Sequence, residues 1–295
     1  MKPYVKLHLF VWFALGCLIP LNTSAKTFLN VHVSILPQKY FVERIGQNLV
    51  TVDVLVKPGK NPATYSPSPD QIKKLTSADV YFRIGVPFEN GILDKIKSIA
   101  GIRVVDTRQG ILLRRMEGHH DDEKNHDRQI GNDPHIWMNP LLVKTQAHTI
   151  FKTLCGLDPG NKDIYEQNYR LFINDLDALD HRLKKAFERL KGENLFVFHP
   201  SFGYFTDAYG LKQVAVETMG KAPRGKNLSD IIKLAKKQET KVIFAQPQFD
   251  DTAAKKIASA INGIVVSIDP LAYDYLMNME NIAQSVTSVL KNQMD

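Results

Sequence analysis

The chain has 295 residues, 44% hydrophobic and 23% charged, with a formal net charge of +7. That length suits two domains of ordinary size, each able to bury a core. The mild positive excess includes no Lys/Arg cluster with interleaved aromatics, so no nucleic-acid partner is implied. Two cysteines, Cys17 and Cys155, exclude a disulfide-stapled scaffold, a zinc ribbon and a CxxC redox site.

The N-terminus reads as an export signal. Lys2 and Lys6 precede the apolar run "LHLFVWFALGCLIPL", and "TSA" offers a small-residue cleavage site after Ala25. The run is too short for a membrane-spanning helix. Cys17 in "ALGC" gives a weaker lipoprotein reading, since cutting there would leave "LIPL" at the new terminus. Removal of residues 1–25 leaves Cys155, read as a small buried apolar residue.

From Phe28 strands and helices alternate. "FLNVHVSI" and "VTVDVLV" are expected strands around a helix from Gln38 to Ile45. "SPSPDQIKKLTSA" starts a helix, with Ser68 as N-cap and Pro69 at the first helical position. "DVYFRIG" is a strand, "FENGILDKIKSI" a helix and "IRVVDT" a strand. Strands spaced by helix-length segments imply parallel β/α units. A polar, His-rich loop at 115–132 follows. "NPLLVKTQAHTIFKTLCG" is then a helix capped by Asn139, with Gly156 as its expected terminator.

Phe172, Leu176, Leu179, Leu183, Phe187 and Leu190 recur at steps of three and four, the signature of one long amphipathic helix over about 158–191. At ~1.5 Å per residue it would span ~45 Å, so we read it as a stiff strut between lobes rather than a coiled-coil seam. Beyond Gly192 the alternation resumes. "NLFVF", "QVAVET", "KVIFAQ" and "GIVVSI" are strands, and "SFGYFTDAYG", "NLSDIIKLAKKQE" (capped by Asn227 or Ser229), "DDTAAKKIASAIN" and "NMENIAQSVTSVLKNQ" are helices. The expected fold is α/β: two lobes with mainly parallel sheets, 26–156 and 193–295, joined by one long rigid helix, 157–192. No short internal repeat stands out.

Three stretches end an expected strand or open a helix with a metal-binding side chain: His135 in "NDPHIWMNP", His199 in "LFVFHPSFGYF" and Asp269 in "IVVSIDPLAYDY". Ligands collect at the carboxyl ends of parallel strands, so two facing lobes could bring these residues to one cleft. Imidazole nitrogens with a carboxylate suit zinc, manganese or ferrous iron. Taken singly, a His is more often a hydrogen-bonded structural residue than a ligand, and Asp269 before Pro270 also reads as a turn or helix cap. "GHHDDEKNHD" adds His119, His120 and His126 among acids. Such a loop can gather metal beside a tighter site or be a solvated charged segment. "GKAPRGKN" nearly spells a phosphate-binding loop, but Asn227 stands where a hydroxyl would hold magnesium, so it is read as an ordinary loop. His32, His148 and His181 are read as structural or solvent-facing.

These motifs resemble, in order and spacing, the cluster A-I solute-binding proteins of ABC transporters, which deliver zinc or manganese. The resemblance covers essentially the whole chain after the signal, including "VLVKPGKNPATYSPSPDQIKKLTSADV", the acidic His-rich loop, "DPHIWMNP", "FVFHPSFGYF", "IFAQPQF" and "SIDPLA". It implies two α/β lobes linked by a rigid helix with the metal between them, His135 and His199 as the second and third histidine ligands, and Asp269 as the carboxylate ligand. The family's first ligand stands in a P-H-x-Y loop, where this chain reads Pro62-Ala63-Thr64-Tyr65. Alanine cannot ligate, which leaves the fourth position to water, Glu89, Tyr65 or a loop histidine; Glu89 is the first choice among the side chains. The implied protein is a periplasmic, monomeric receptor that passes zinc, ahead of manganese or ferrous iron, to a membrane permease with its ATPase subunit. The competing readings are a metal buffer or adhesion-type surface protein of the same fold, and a metal-dependent hydrolase. Against the last, the chain has no HExxH pair and no GxSxG elbow, so no enzyme is expected.

Overall fold

The computed structural model describes residues 28–98, 102–117, 131–217 and 222–294. The signal segment 1–25 and the loop histidines His119, His120 and His126 lie outside these.

Two four-stranded sheets form, both fully parallel. The first contains β1 (Leu29–Val33), β2 (Val50–Val54), β3 (Val80–Arg83) and β4 (Arg103–Asp106) in the order β2-β1-β3-β4. The second contains β5 (Asn194–Val197), β6 (Lys212–Ala215), β7 (Val242–Ala245) and β8 (Ile264–Ser267) in the order β6-β5-β7-β8. The two orders are the same, so the topology is duplicated without any repeat visible in the residues. Helices α1 (Leu36–Gly46), α2 (Pro69–Leu75) and α3 (Leu93–Lys97) serve the first sheet. Helices α6 (Gly203–Tyr209), α7 (Gly225–Lys237) and α8 (Thr252–Ala260) serve the second, and α9 (Tyr275–Met294) closes the chain.

Between the sheets run α4 (Pro140–Leu157) and α5 (Lys162–Phe187). The six apolar residues expected on the long helix are all buried, with Leu190 in a 3-10 turn that continues α5 over Glu188–Leu190. The 26 residues of α5 span about 39 Å at the α-helical rise. At its N-terminal half, Asn168 donates to the Ile45 carbonyl and Arg44 pairs with Asp175. At its C-terminal half, Phe187 packs on Phe205 and Tyr209, and Arg182 pairs with Glu280. One hydrophobic core therefore runs through both sheets by way of α5.

The second sheet shows the two-residue period of a strand buried on both faces. Leu195, Val197, Val242 and Phe244 join the shared core. Phe196, Ile243 and Ala245 point the other way, into a separate cluster with Ile231, Ala235 and Ile257 of α7 and α8.

Local signals held where a cap is a side-chain event. Ser68 and Gln71 form the reciprocal capping box of α2, and the Asn139 side chain caps α4 by accepting from the Leu141 amide. They failed in three places. Gly156 does not stop α4, which runs to Leu157; Pro159, which disfavours helical backbone at Asp158, ends it instead. Helix α7 begins at Gly225 after an extended Arg224, so neither Asn227 nor Ser229 is its cap. The segment "FENGILDKIKSI" splits into a 3-10 turn at Pro87–Gly91 and the short α3, because the Glu89 side chain is drawn inward. Cys155 is half-buried, with burial pushing its thiol pKa up. His32 is buried in β1, whereas His148 and His181 are exposed.

Candidate metal centre

His199 lies two residues beyond β5. In the register of the second sheet Val197 pairs with Ala215 and with Phe244, so the positions flanking His199 are Glu217 and Gln246. Both are used. The Glu217 carboxylate meets the His199 Nδ1 at 2.5 Å. Gln246 clips the main chain, accepting from the His199 amide at 3.0 Å and donating to its carbonyl at 3.1 Å. Phe249 stacks on the ring at 4.5 Å between centroids.

His135 comes from the other lobe, on the loop before a 3-10 turn at Ile136–Met138. Asp133, fully buried, accepts from the His135 amide at 2.9 Å and holds its Nδ1 at 2.7 Å. The two imidazoles meet edge to face, 5.2 Å between centroids. Each ring thus has its Nδ1 tied to a buried carboxylate. That fixes the tautomer with the proton on Nδ1 and leaves Nε2 as a lone-pair donor, as when a carboxylate orients a metal-binding histidine from behind. Burial draws the His199 pKa below the ordinary histidine value, outweighing the Glu217 hydrogen bond that raises it. Burial thus favours the neutral ring, and the Glu217 bond orients it, so that it is ready to ligate near neutral pH. The second Glu217 oxygen, Oε2, is buried without a hydrogen-bond partner.

Asp269 follows β8. Its Oδ1 accepts from Gln248 Nε2 at 2.7 Å and from the Leu271 amide at 2.8 Å, and its carbonyl accepts from Asn278. Among the described residues no hydrogen bond reaches Oδ2. The Trp137 indole N–H donates to the Pro270 carbonyl at 2.8 Å, and its ring packs edge-on against His135. Trp137 therefore couples the His135 turn to the Asp269 turn. The structure brings His135 and His199 together but leaves Asp269 apart. Among the described residues no group of three His, Cys, Asp or Glu side chains stands close enough to share an ion. Asp269 instead lines a cavity of about 40 Å3 between the lobes, with Lys57, Lys60 and Gln248.

Glu89 is not at hand as a ligand. Fully buried, it accepts from Ser34 Oγ and the Ile84 amide on one oxygen, and from the Gly85 amide and Arg83 on the other. Four donors make it a tie between the ends of β1 and β3 in the metal-free protein. Tyr65 is similarly occupied, donating to Gln71. Ala63 lies exposed in a turn closed by Asn61.

A second polar cluster backs the histidines. Arg114 pairs with Glu117, Asp133 and, from the other lobe, Asp207. Gln213 of β6 donates to Glu117, and the Tyr204 hydroxyl accepts from the Arg114 amide and donates to the Asp133 carbonyl. Residues 114–116 and 131–133 pair antiparallel, through Met116 to Gly131 and Asp133 to Arg114. The neck of the His-rich segment thus lies against the carboxylate that holds His135.

The sequence reading missed Asp133, Glu217, Gln246, Gln248 and Arg114. Asp133 was visible two residues before His135, and Glu217 ended a strand already recognised; aligning the strand ends would have found the latter.

The family profile of the periplasmic zinc-uptake complex component A, ZnuA, matches residues 31–289. A crystal structure of ZnuA superposes with a TM-score of 0.83 at 38% identity, covering 89% of this chain and 99% of that one. The high-affinity zinc uptake system protein ZnuA of Bacillus subtilis is 27% identical, covering 79% of this chain and 74% of its own. Its counterpart in Yersinia pestis is 25% identical over 89% of each.

Proposed function

The chain belongs to the family of the periplasmic zinc-uptake complex component A, and from that premise we propose that it captures a divalent metal ion, zinc first, and hands it to a membrane ABC importer. The family is one of solute-binding proteins, and we read this member as a carrier, not an enzyme. The ion is cargo. Manganese or ferrous iron would fit the same donors less well than zinc.

The observation that carries the reading is the pair of histidines from opposite lobes, 5.2 Å apart, each with Nδ1 held by a buried carboxylate. In this reading His135 and His199 bind through Nε2. Asp269, whose Oδ1 is taken by two N–H donors, binds through Oδ2. The ion draws Asp269 toward the pair, so capture includes a small closure of the cleft on the Asp269 side. The helix α5, packed into both lobes, limits that closure to loop shifts and slight lobe movement. His119, His120 and His126 would gather metal for the histidine pair.

The division into a signal (1–25), two lobes (26–156 and 193–295) and a connecting helix (157–192) goes with this reading, as does a monomer in the periplasm. Among the described residues no helix is long and apolar enough to cross a membrane. A permease with its ATPase is the implied partner.

Titration calorimetry with zinc and manganese on the chain without residues 1–25 tests the reading. Tight zinc binding that survives deletion of 117–128 and disappears in His135→Ala/His199→Ala is the expected result. Loss of binding on loop deletion alone would move the site to the loop.

A further inference from the structure

Ala63 cannot ligate, and Glu89 and Tyr65 are engaged elsewhere, which leaves the polar groups beside Asp269. Gln246 and Gln248 leave β7 two residues apart and do different things. Gln246 uses both ends of its amide on the His199 main chain. Gln248 uses one. Its Nε2 donates to Asp269 Oδ1 at 2.7 Å, while its Oε1 is buried with no hydrogen-bond partner. The assignment follows from chemistry, since an ionised carboxylate only accepts and so the amide nitrogen must face it. Both residues line the same cleft cavity.

An amide and a carboxylate joined by one N–H···O bond form half of a cyclic pair. Gln248 Oε1 and Asp269 Oδ2 are the acceptors that this bond leaves over. A buried amide oxygen without a partner is costly to keep, and a cation between Oε1 and Oδ2 would satisfy both atoms. Resting on the reading of the site given above, we propose that Gln248 is a metal donor: its amide oxygen joins Asp269 Oδ2, His135 and His199 to complete an N2O2 set in place of the absent histidine. Lys57 and Lys60 line the same cavity. An amide oxygen is a harder donor than imidazole, so this site should discriminate less strongly against manganese than a three-histidine site would.

The experiment is zinc and manganese titration calorimetry on the chain without residues 1–25, compared with Gln248→Ala and Gln248→Glu. Thermal melting of each metal-free protein shows that the variants fold. Cobalt(II) absorption reports the ligand field independently of affinity. Gln248→Ala should weaken zinc binding about tenfold or more, weaken manganese at least as much, and change the cobalt spectrum. Gln248→Glu keeps an oxygen at the same place but loses the N–H, and should hold zinc within a few-fold of the parent. Unchanged affinity in Gln248→Ala overturns the proposal. So does a Gln248→Glu variant as weak as Gln248→Ala, because only the hydrogen bond to Asp269 would then matter. A His135→Ala/His199→Ala control that still binds zinc tightly would overturn the underlying site, an outcome separate from either of these.

Discussion

Around His135 and His199 the lobes interlock, whereas around Asp269 they face each other across a cavity. On the first side Arg114 reaches from one lobe to Asp207 of the other, Tyr204 and Gln213 return bonds across the gap, and both rings are pinned at Nδ1. On the second side the Trp137–Pro270 bond crosses beside a cavity lined by Lys57, Lys60, Gln248 and Asp269. The difference suggests a division of labour: a preformed histidine pair that recognises the ion, and a yielding carboxylate that closes on it. Preorganisation of one half lowers the ordering cost of capture, while the yielding half provides a route for release.

The comparison can be broken from either side. The largest effect should come from His135→Ala/His199→Ala, which removes both rigid donors and should abolish tight zinc binding by calorimetry; loss of Asp269 alone should leave weak binding. Next, Glu217→Ala leaves His199 without its orienting carboxylate and should cost about 10–100-fold in zinc affinity, with little change in the histidines' identity as ligands by cobalt absorption. If Glu217→Ala binds zinc like the parent, the ring needs no orienting partner.

A smaller effect is expected at Gly203. A Cβ there would collide with the Arg114 guanidinium and sit 2.9 Å from Asp133 Oδ2, so Gly203→Ala must shift the flexible end of the arginine within its cluster. Urea unfolding should register a loss of about 1–3 kcal/mol, the usual cost of overpacking, with a modest drop in zinc affinity as Asp133 loosens. No loss of stability would mean that the interlock is decorative.

The smallest effect is that of pH on the metal-free protein. His32 and His199 both have pKa values lowered by burial. Below the ordinary histidine value of 6.5 the unfolded chain takes up protons that the folded protein resists, so stability falls as pH drops from there through the folded values, and is flat above. Urea midpoints between pH 8 and pH 5 should show that decline, reduced in His32→Gln. A midpoint that rises on acidification would contradict it.

The strut was legible because its six apolar residues keep helical spacing and all are buried. The parallel sheets were legible from alternation, and His135, His199 and Asp269 from their places at strand ends or helix starts. What was hidden depends on contacts between distant segments. Glu217 meets His199 only through the β5–β6 register, and Arg114 meets Asp207 only when the lobes dock. Glu89 is ambiguous because a carboxylate near a site looks the same in sequence whether it faces an ion or four N–H and O–H donors.

X-ray absorption at the zinc edge of the loaded protein, with residues 1–25 removed, tests the central claim most directly. The account predicts two imidazoles with oxygen donors making up the rest of the shell, unchanged when residues 117–128 are deleted. Three or more imidazoles, falling to two on deletion, would show that the His-rich segment ligates the captured ion and that the interlobe pair with Asp269 is not the complete protein site.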